Sequence, residues 1–561
     1  MLETELAHTL EALANDSFER GLTSDDDFDA KYPDDPATLE EALASEDAPK
    51  WLAGCEEELA SINKLGVFDL VPRSQCTGRK VLKGKFVFHI KCDALGKAVR
   101  WKVRYVAKGY EAIYGVDYKK TTSPTMRLET FRIIAHLSAV FGWKLHQIDI
   151  VTAFLRGALA EGEEVYIEQP NGFKVKGMED YVWMLHKGLY GLPQGSWLWN
   201  KMMHDGMIKI SFIRIPCEYC IYFQKTKDGI IIIGIHVDDF LAGTSSDIAA
   251  AKFKADLATL WDISDLGEAW FCVGIAIERD LNNHYIYLSQ TALIDRILIQ
   301  FQMTDANPVT TPIEAGISLS KFPATPITAQ EELELKAIPY RRLIGRLMYL
   351  AVGTRPDISL TVTKLSQFLD CYNLSHWLVA KRVLRYLAGT RQLKLHLGGH
   401  VAADIVGFSD ASFTCCPNSA RSIGTYCFSL GESGVVSWCA RKQKTVAQSS
   451  CNAEYIAVSE AARKAMWLRM LTTELGFPPL HATPLLCDNQ AALVLAEDPS
   501  FHTHAKHINT KWHYIRECTQ NNDITVSYVP SRDNVADILT KALPTQAFLC
   551  LRSFLGLCTY P

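Results

Sequence analysis

Apolar and polar side chains alternate most regularly in the segment KFVFHIKCDALGKAVRWKVRYVAKG, which begins at Lys85. Period-two alternation is the pattern of a strand with one buried face, so this segment predicts a β-hairpin that turns at DALG. In the second arm, Val99, Trp101, Val103 and Tyr105 share one face, and Arg100, Lys102 and Arg104 share the other. Such a strand can pack on a core while it presents positive charge to phosphates, although a solvated basic face is the simpler alternative.

Helical spacing of apolar residues follows in several longer segments. ETFRIIAHLSAVFGWKL predicts a helix, and HQIDIVTAFLRG predicts a strand that runs into a turn. Further helices are expected in residues 182–210 beyond LYGLPQG, in SDIAAAKFKADLATLW, in YRRLIGRLMYLAV and in HWLVAKRVLRYLAGT, with two strands in AWFCVGIAIERD and HYIYLSQ. Residues 306–335 are rich in Pro, Thr and Glu and predict a linker.

A third region begins near Val401 with a different order of elements. Strands are expected at Ile405–Ser409, Ile423–Leu430 and Val435–Arg441, followed by a long helix from about Ser449 to Leu475. PLLCD, NQAALVLAE, TKWHYIREC, ITVSYVPS and NVADILTKAL then predict a strand, two helices, a strand and a helix. Three strands before the first helix, followed by alternation, indicate a mixed α/β sheet.

Composition limits the class of protein. With 561 residues, 48% hydrophobic and 22% charged, the chain predicts an ordinary globular protein of two to four domains. Neither a membrane-spanning apolar run nor a signal-peptide pattern is present, so we expect an intracellular protein. The net charge of −5 conceals a division, because residues 1–50 hold 15 acidic and 3 basic side chains and the remainder is basic. The acidic segment predicts disorder to about residue 38.

Sixteen scattered cysteines are typical of reduced thiols. Cys217 and Cys220 have the spacing of half a zinc site, but the sequence near them offers no second half, which favours packed thiols. The sequence also does not favour a zinc site at the histidine cluster, because it offers no cysteine or carboxylate partner at ligand spacing; the cluster consists of His502, His504, His507 and His513.

Two adjacent acids, Asp238 and Asp239, interrupt the apolar run GIIIIGIHVDDFLAG. A buried carboxylate is costly unless its charge is compensated, so the pair is either part of a surface β-turn or part of a metal site at a hairpin tip. Mg²⁺ takes oxygen ligands from carboxylates and substrate phosphates, and two ions can stabilise phosphoryl transfer. Asp149 also ends an apolar strand and is the candidate for the third carboxylate.

Phrases along residues 50–557 resemble the reverse transcriptase–RNase H portion of a copia-type (pseudovirid) LTR retrotransposon Pol polyprotein. They include VRYVAKGYEAIYGVDYKKTTSPTMRLETFRIIAHLSA, LHQIDIVTAFLRG, VYIEQPNGF, LHKGLYGLPQG, HVDDFLAG, YRRLIGRLMYLAVGTRPDI, VAQSSCNAEYIAVSEA, CDNQAAL and YVPSRDNVADILTKAL. The resemblance implies an α+β fold in which a right-hand polymerase, with fingers, an antiparallel palm sheet and a thumb, precedes an RNase H-like mixed α/β domain.

The resemblance also implies roles for individual residues. Asp149, Asp238 and Asp239 would be the metal-binding acids of the palm. Phe154 would lie beneath the incoming sugar and exclude a 2′-hydroxyl, and Gln194 would lie against the nucleotide and template. Lys102 and Arg104 would contact the triphosphate, which agrees with the cationic face of their strand.

Four later acids match the second catalytic set of this family. Asp410, Glu454, Asp488 and Asp537 stand near the ends of separate predicted elements, with Asp537 on the final helix, and could converge on one site. The resemblance implies that they bind two metals that activate water to cleave the RNA strand of a hybrid. Taken singly, each acid would more simply be a surface carboxylate.

The sequence departs from most relatives at two positions beside these motifs. His236 replaces an aromatic residue before the two aspartates, and an imidazole there could titrate near neutrality. Trp197 in LPQGSWLW replaces a common arginine. None of the seven candidate acids is lost.

These observations predict five segments: residues 1–48 acidic and disordered, 49–305 fingers and palm, 306–400 linker and helical thumb or connection, 401–545 RNase H-like, and 546–561 a tail.

The expected function is RNA-directed DNA polymerisation with RNase H activity, and the alternative is a degenerate or domesticated copy that only binds nucleic acid. The resemblance implies Mg²⁺, or Mn²⁺ in its place, with two ions per site. It further implies an RNA template, a DNA primer, RNA–DNA hybrids and dNTPs as ligands, and no membrane. Other Pol and Gag products are expected partners, in cytoplasmic virus-like particles or in the nucleus.

Overall fold

The computed structural model describes residues 35–559, apart from residues 77, 93–97, 322–327, 329–332, 334, 402–403, 417–418 and 498–508. The elements of the first half are, in chain order, α1 (Leu39–Ala44), α2 (Ala48–Lys64), β1 (Phe68–Pro72), β2 (Val81–Leu82), β3 (Gly84–Cys92), β4 (Ala98–Ala107), α3 (Leu128–Val140), β5 (Lys144–Ile150), β6 (Val165–Glu168), β7 (Tyr181–Leu185), α4 (Gly195–Lys209), β8 (Ile213–Arg214), β9 (Ile221–Thr226), β10 (Gly229–His236), β11 (Asp239–Thr244), α5 (Asp247–Leu260) and β12 (Ile263–Glu268).

The second half continues with β13 (Phe271–Cys272), β14 (Ile275–Asp280), β15 (Tyr285–Ser289), α6 (Thr291–Gln300), α7 (Tyr340–Gly353), α8 (Ser359–Ser366), α9 (Leu374–Gly389), β16 (Leu393–Gly398), β17 (Ile405–Ser412), β18 (Ile423–Leu430), β19 (Val435–Lys442), α10 (Ser450–Glu474), β20 (Thr483–Cys487), α11 (Gln490–Glu497), α12 (Asn509–Gln520), β21 (Ile524–Tyr528), α13 (Asp537–Thr540), α14 (Thr545–Phe554) and β22 (Leu557–Thr559).

The cationic hairpin predicted from alternation is present. Strands β3 and β4 pair antiparallel from Gly84 opposite Ala107, and the DALG turn lies outside the described residues. Val103 and Tyr105 are buried, whereas Lys102 and Arg104 are half-buried on the other face. Helix α2 packs on the apolar face, and strands β1, β7, β6 and β2 form a neighbouring four-stranded sheet.

The palm is a six-stranded antiparallel sheet in the order β12-β5-β11-β10-β9-β8. Ile232 of β10 packs in the core that includes α3, whereas Ile231 and Ile233 pack in the core that includes α4 and α5. Both faces of β10 are therefore covered, which explains why its isoleucines run continuously instead of alternating with polar residues. Helix α3 ends at Val140 and is therefore shorter than the predicted helix, which extended to Leu145. Lys144 and Leu145 are instead the first two residues of β5.

Two further sheets follow. The sheet β13-β14-β15-β16-β22 is antiparallel, and β22 pairs with β16, so residues 557–559 are an integral part of it. The last sheet has the order β19-β18-β17-β20-β21, with antiparallel pairing among the first three strands and parallel pairing of β17, β20 and β21. This topology confirms the predicted mixed α/β domain after an antiparallel palm.

Helix α3 joins the palm to the rest of the chain through a buried arginine. The Arg132 guanidinium donates hydrogen bonds to the carbonyl oxygens of Val436 in β19 (2.7 Å), Val352 (2.8 Å) and Gly353 (2.9 Å) in α7. Nearby, the Lys464 ammonium contacts Glu129 at 2.9 Å. Palm, thumb and C-terminal domain therefore share one core at this junction. Among the described residues, no helix has both the length and the apolar character needed to cross a bilayer.

The junction yields a stability prediction. Replacing Arg132 by Met should lower the free energy of unfolding by at least about 3 kcal/mol, because three carbonyl oxygens, two of them in buried hydrogen bonds, lose a charged donor. Arg341→Met is the matched control, since Arg341 forms an exposed ion pair with Asp370 and should cost less than about 1 kcal/mol. Urea unfolding of both variants measures the difference, and equal costs would contradict the assigned role of Arg132.

Candidate active sites

The strand register places two of the predicted palm acids side by side. Asp239, the first residue of β11, lies directly opposite Asp149 of β5 in an antiparallel pair. Directly opposed residues point to the same face of a sheet, so both carboxylates leave the same side of the palm. Asp238 lies in the two-residue turn between β10 and β11, and its carbonyl oxygen accepts a hydrogen bond from the Ile150 amide at 3.1 Å.

The turn that carries Asp238 has a strained backbone. Val237 has a φ of 57°, a left-handed conformation that is rare for a β-branched residue. Its carbonyl oxygen accepts a hydrogen bond of 2.7 Å from the indole Nε1 of Trp199 in α4. Thr152, just beyond Asp149, has a φ of 56°. The chain therefore adopts costly conformations next to both strand ends that present the acids.

Electrostatics in the palm favour a bound cation. Burial, with repulsion from Asp149, raises the pKa of Asp238 to about 7, although the charges of Arg104 and Lys102 oppose the shift. The Oδ1 atom of Asp238 is buried and has no hydrogen-bond partner among the described residues. A buried carboxylate oxygen next to a second carboxylate fits a hard cation such as Mg²⁺.

The predicted nucleotide-contacting residues lie close to these acids. The Arg104 guanidinium lies 4.8 Å from the ring centre of Tyr190, and that ring is 5.7 Å from the ring of Phe154. Burial raises the pKa of the Tyr190 hydroxyl, and the charges of Arg104, Glu58, Asp238 and Asp149 also act on it, so this ring lies near both the cationic strand and the palm acids. Sequence reasoning missed Tyr190, although it lies in the quoted motif LHKGLYGLPQG.

Gln194 occupies a different kind of position. It precedes α4, only 1% of its surface is exposed, and its side-chain Nε2 donates to the carbonyl oxygen of Asp117 at 3.1 Å. The structure therefore places Gln194 beneath the segment that follows β4. His236 is also buried, and burial lowers the pKa of its imidazole to about 4. It is therefore neutral at pH 7, contrary to the expectation that it titrates near neutrality.

The four C-terminal acids converge at one end of the mixed sheet. Ligand atoms of Asp410, Asp488 and Asp537 lie within 4.8 Å of one another, as do those of Glu454, Cys487 and Asp488. Asp410 is in β17, Glu454 is in α10, and Asp488 follows β20. Asp537 begins the four-residue helix α13, so the predicted helix over NVADILTKAL is shorter than expected, and α14 follows it, so the expectation that it is the final helix is wrong. Parallel strands β17 and β20 end at the same edge, which explains the convergence.

Crowding of these acids perturbs their protonation. Burial, then Asp410, raises the pKa of Glu454 to about 9, and the same two causes raise the pKa of Asp537 to about 7. The Lys541 ammonium lies 3.2 Å from Asp410 and 2.9 Å from Asp537. Thr540 donates a hydrogen bond to Asp410, and the Ser531 hydroxyl donates to Asp488 at 2.6 Å.

Sequence reasoning missed Cys487 and Lys541. Cys487 directly precedes Asp488, and its sulfur lies 4.0 Å from a carboxylate oxygen of Glu454. Lys541 follows Asp537 by four residues, a spacing that brings side chains together on one helix turn and could have been noticed. The contact of Cys487 with Glu454 joins two elements that are distant in sequence, so no local sequence pattern could predict it.

The two carboxylate sets differ in compactness. Among the described residues, groups of three metal-ligating atoms within 4.8 Å occur only in the C-terminal set, and the palm trio forms no group of that tightness. Neither Cys217 nor Cys220 belongs to such a group, and burial raises the pKa of Cys217 to about 12, which favours packed thiols. His502, His504 and His507 lie outside the described residues, as does the side chain of His513.

A cleft of about 740 Å³ with several basic side chains lies on the C-terminal domain. Its lining comes from strands β18 and β19 and from helices α10 and α12, and Arg127, just before α3, reaches it from the palm side. The basic side chains that line it are those of Arg127, Arg441, Lys442, Lys444, Arg463 and Lys464. A groove with this many basic side chains favours a phosphate backbone.

Comparisons with known proteins identify the family. The family described as "Reverse transcriptase (RNA-dependent DNA polymerase)" matches residues 66–315. The Retrovirus-related Pol polyprotein from transposon TNT 1-94 of Nicotiana tabacum is 35% identical over 526 residues, covering 93% of this chain and 39% of that polyprotein. The chain thus spans well under half the length of that relative.

A shorter relative is covered almost completely. The putative transposon Ty5-1 protein YCL074W of Saccharomyces cerevisiae is 34% identical over 317 residues, which are 56% of this chain and 98% of that protein. Among solved structures, a foamy viral protease-reverse transcriptase in complex with RNA/DNA hybrid gives a TM-score of 0.45 at 12% identity, covering 86% of this chain and 54% of that one. The sequence matches show that the chain belongs to the copia-type retrotransposon Pol family, as its reverse transcriptase–RNase H portion.

Proposed function

We propose that this chain is an RNA-directed DNA polymerase that also cleaves RNA in RNA–DNA hybrids. The observation that carries the proposal is the presence of two separate carboxylate sets, each gathered at the edge of a sheet and each close to basic side chains. The pairing of Asp149 with Asp239 supports the first activity. The grouping of Asp410, Asp488 and Asp537 supports the second.

In the palm, Asp149, Asp238 and Asp239 would hold Mg²⁺, or Mn²⁺ in its place. Two such ions supply charge stabilisation for the attacking and leaving oxygens of nucleotidyl transfer. Lys102 and Arg104 would bind the triphosphate, because the charges of both side chains act on Asp238 from strand β4 of the cationic hairpin. Their position next to the carboxylates would orient the phosphates relative to the primer end.

Phe154 would set the preference for deoxynucleotides. It belongs to the short 3₁₀ turn Ala153–Leu155 just after the Asp149 strand, and it is half-buried against Tyr190. A ring held in this way forms a fixed wall, which would exclude a 2′-hydroxyl by its volume.

In the C-terminal domain, Asp410, Glu454, Asp488 and Asp537 would hold the same kind of ion. The ion would activate water for hydrolysis of the RNA strand. Lys541 would offset part of the negative charge, since its ammonium contacts both Asp410 and Asp537. The raised pKa of Glu454 fits a carboxyl that stays protonated at neutral pH until a cation neutralises its neighbours.

The RNA template, DNA primer and RNA–DNA hybrid would lie along basic surfaces of the chain, among them the cleft of the C-terminal domain. We further propose that the chain acts inside the cell, in the cytoplasm or nucleus, together with other Pol and Gag products. These partners rest on family membership alone.

Primer extension tests the polymerase. On a poly(rA) template with a DNA primer, dTTP and Mg²⁺ or Mn²⁺, Asp238→Asn should lower the extension rate on the order of 100-fold or more, because a charge-stabilising ligand is lost. Asp228→Asn, at the opposite end of β10, is the matched control and should extend like the wild type. If the wild type extends no faster than Asp238→Asn with either metal, the polymerase proposal fails and the non-catalytic alternative takes its place.

Cleavage of a labelled RNA–DNA hybrid tests the second site independently. Asp410→Asn should abolish cleavage while primer extension persists, because the two carboxylate sets are separate. Asp404→Asn, an exposed aspartate just before the same strand, is the control and should cleave normally. Cleavage by Asp410→Asn at the wild-type rate would remove the assignment of the C-terminal site.

A further inference from the structure

An exposed aromatic surface lies on the loop that follows the cationic strand. Residues 109–118, here called the tyrosine loop, begin two residues after β4 ends. Tyr110 is 82% exposed, Tyr114 is 71% exposed and Ile113 is 51% exposed. Large apolar side chains held this far into solvent, so close together, indicate a surface that something covers.

The loop is internally braced, so the exposure is a fixed feature of the fold. The buried Asp117 carboxylate accepts a hydrogen bond of 2.7 Å from the Ile113 amide. The Gly115 amide donates to the Tyr118 carbonyl oxygen at 2.8 Å, and the rings of Tyr114 and Tyr118 pack edge to face at 5.6 Å. The tyrosine rings are therefore presented on a defined turn.

The tyrosine loop rests directly on the segment next to the polymerase site. A Cβ atom on Gly109 would overlap the carbonyl oxygen of Gly191, so only glycine permits this approach. The Gln194 side chain donates to the carbonyl oxygen of Asp117, and the Ser196 hydroxyl donates to that of Thr121 at 3.4 Å. The loop thus extends the nucleotide-contacting region outward from the end of β4.

Lysines lie next to the tyrosine loop. Lys119 and Lys120 follow the loop and are exposed. The Lys120 ammonium lies 4.9 Å from the ring centre of Trp197, and the Lys201 ammonium lies 5.8 Å from it. Two lysines therefore lie beside the Trp197 ring, and one of them is close to the loop in sequence. The acid Glu111 lies 3.9 Å from Lys80, so its charge is offset within the same surface.

We propose that the tyrosine loop and Trp197 bind the unpaired, single-stranded template just before it enters the polymerase site. Flat aromatic rings stack on bases of any sequence, and adjacent lysines hold the phosphate backbone, which is the usual chemistry of single-strand binding. This proposal rests on the proposed polymerase function, because the loop gains its role from its position beside the nucleotide-contacting segment.

Equilibrium binding in EDTA tests the surface without catalysis. The probes are two fluorescent RNA–DNA duplexes, one with a 5′ single-stranded RNA overhang and one blunt. The Tyr110→Ala/Tyr114→Ala variant should bind the overhang duplex about fivefold more weakly or worse, with unchanged affinity for the blunt duplex. The Tyr110→Phe/Tyr114→Phe variant should restore binding, because stacking needs the ring and not the hydroxyl. Tyr219→Ala, an exposed tyrosine elsewhere on the palm, is the control.

Two outcomes would overturn this inference. Equal affinity of wild type and Ala variant for the overhang duplex would show that the loop does not hold the template. Equal weakening for both duplexes would show a general defect and no single-strand site. Primer extension by the wild type separates the two proposals. If the wild type extends primers and the Ala variant binds the overhang duplex as tightly as the wild type, only the role of the tyrosine loop is refuted. If the wild type does not extend primers but the Ala variant loses affinity for the overhang duplex alone, only the polymerase function is refuted.

Discussion

Repulsion between carboxylates held away from water is the constraint on which both sites depend. Neighbouring acids in a low-dielectric environment cannot all ionise unless positive charge is close. In the palm, Asp238 shares the end of the sheet with Asp149, and the nearby cations are Lys102 and Arg104. In the C-terminal domain Lys541 directly contacts two of the four acids. Carboxylates that repel one another stay close together only when the surrounding fold holds their backbone rigidly.

The rigidity has an identifiable source in each site. In the palm, both faces of β10 are buried, and Trp199 fixes the strained turn through the Val237 carbonyl oxygen. In the C-terminal domain, Asp410 lies in one strand and Asp488 directly follows another strand of the same sheet, Glu454 and Asp537 project from helices, and Thr540 holds Asp410 by a hydrogen bond. Arg132 then ties the palm to both other bodies. The two sites are therefore joined through one shared hydrophobic core.

Local patterns predicted much of this arrangement. Alternation in residues 98–107 predicted the cationic hairpin, and the apolar run before Asp238 predicted the buried strand and its turn. The order of elements along the C-terminal domain was confirmed because each element carries its own periodicity, whereas the order of strands within its sheet was not predicted. The family resemblance supplied the roles of individual acids, which no periodicity can assign.

The remaining features arise from contacts between distant parts of the chain. The short helix α13, the strand β22 and the approach of Cys487 to Glu454 depend on tertiary packing, which overrides local preference. Burial lowers the pKa of His236 and keeps its imidazole neutral, whereas its position next to two aspartates in the sequence suggested titration near neutrality. The ammonium groups of Lys120 and Lys201 lie beside the ring of Trp197, a contact that no local pattern in the sequence predicts.

The central claim is that each carboxylate set binds divalent cations. Counting bound Mn²⁺ per chain by electron paramagnetic resonance tests it most directly, since no substrate is needed. Asp238→Asn and Asp410→Asn should each bind fewer Mn²⁺ ions per chain than the wild type, and the loss in the double variant should equal the sum of the two single losses. Mn²⁺ binding by the double variant that equals the wild type would contradict the assignment of both sites.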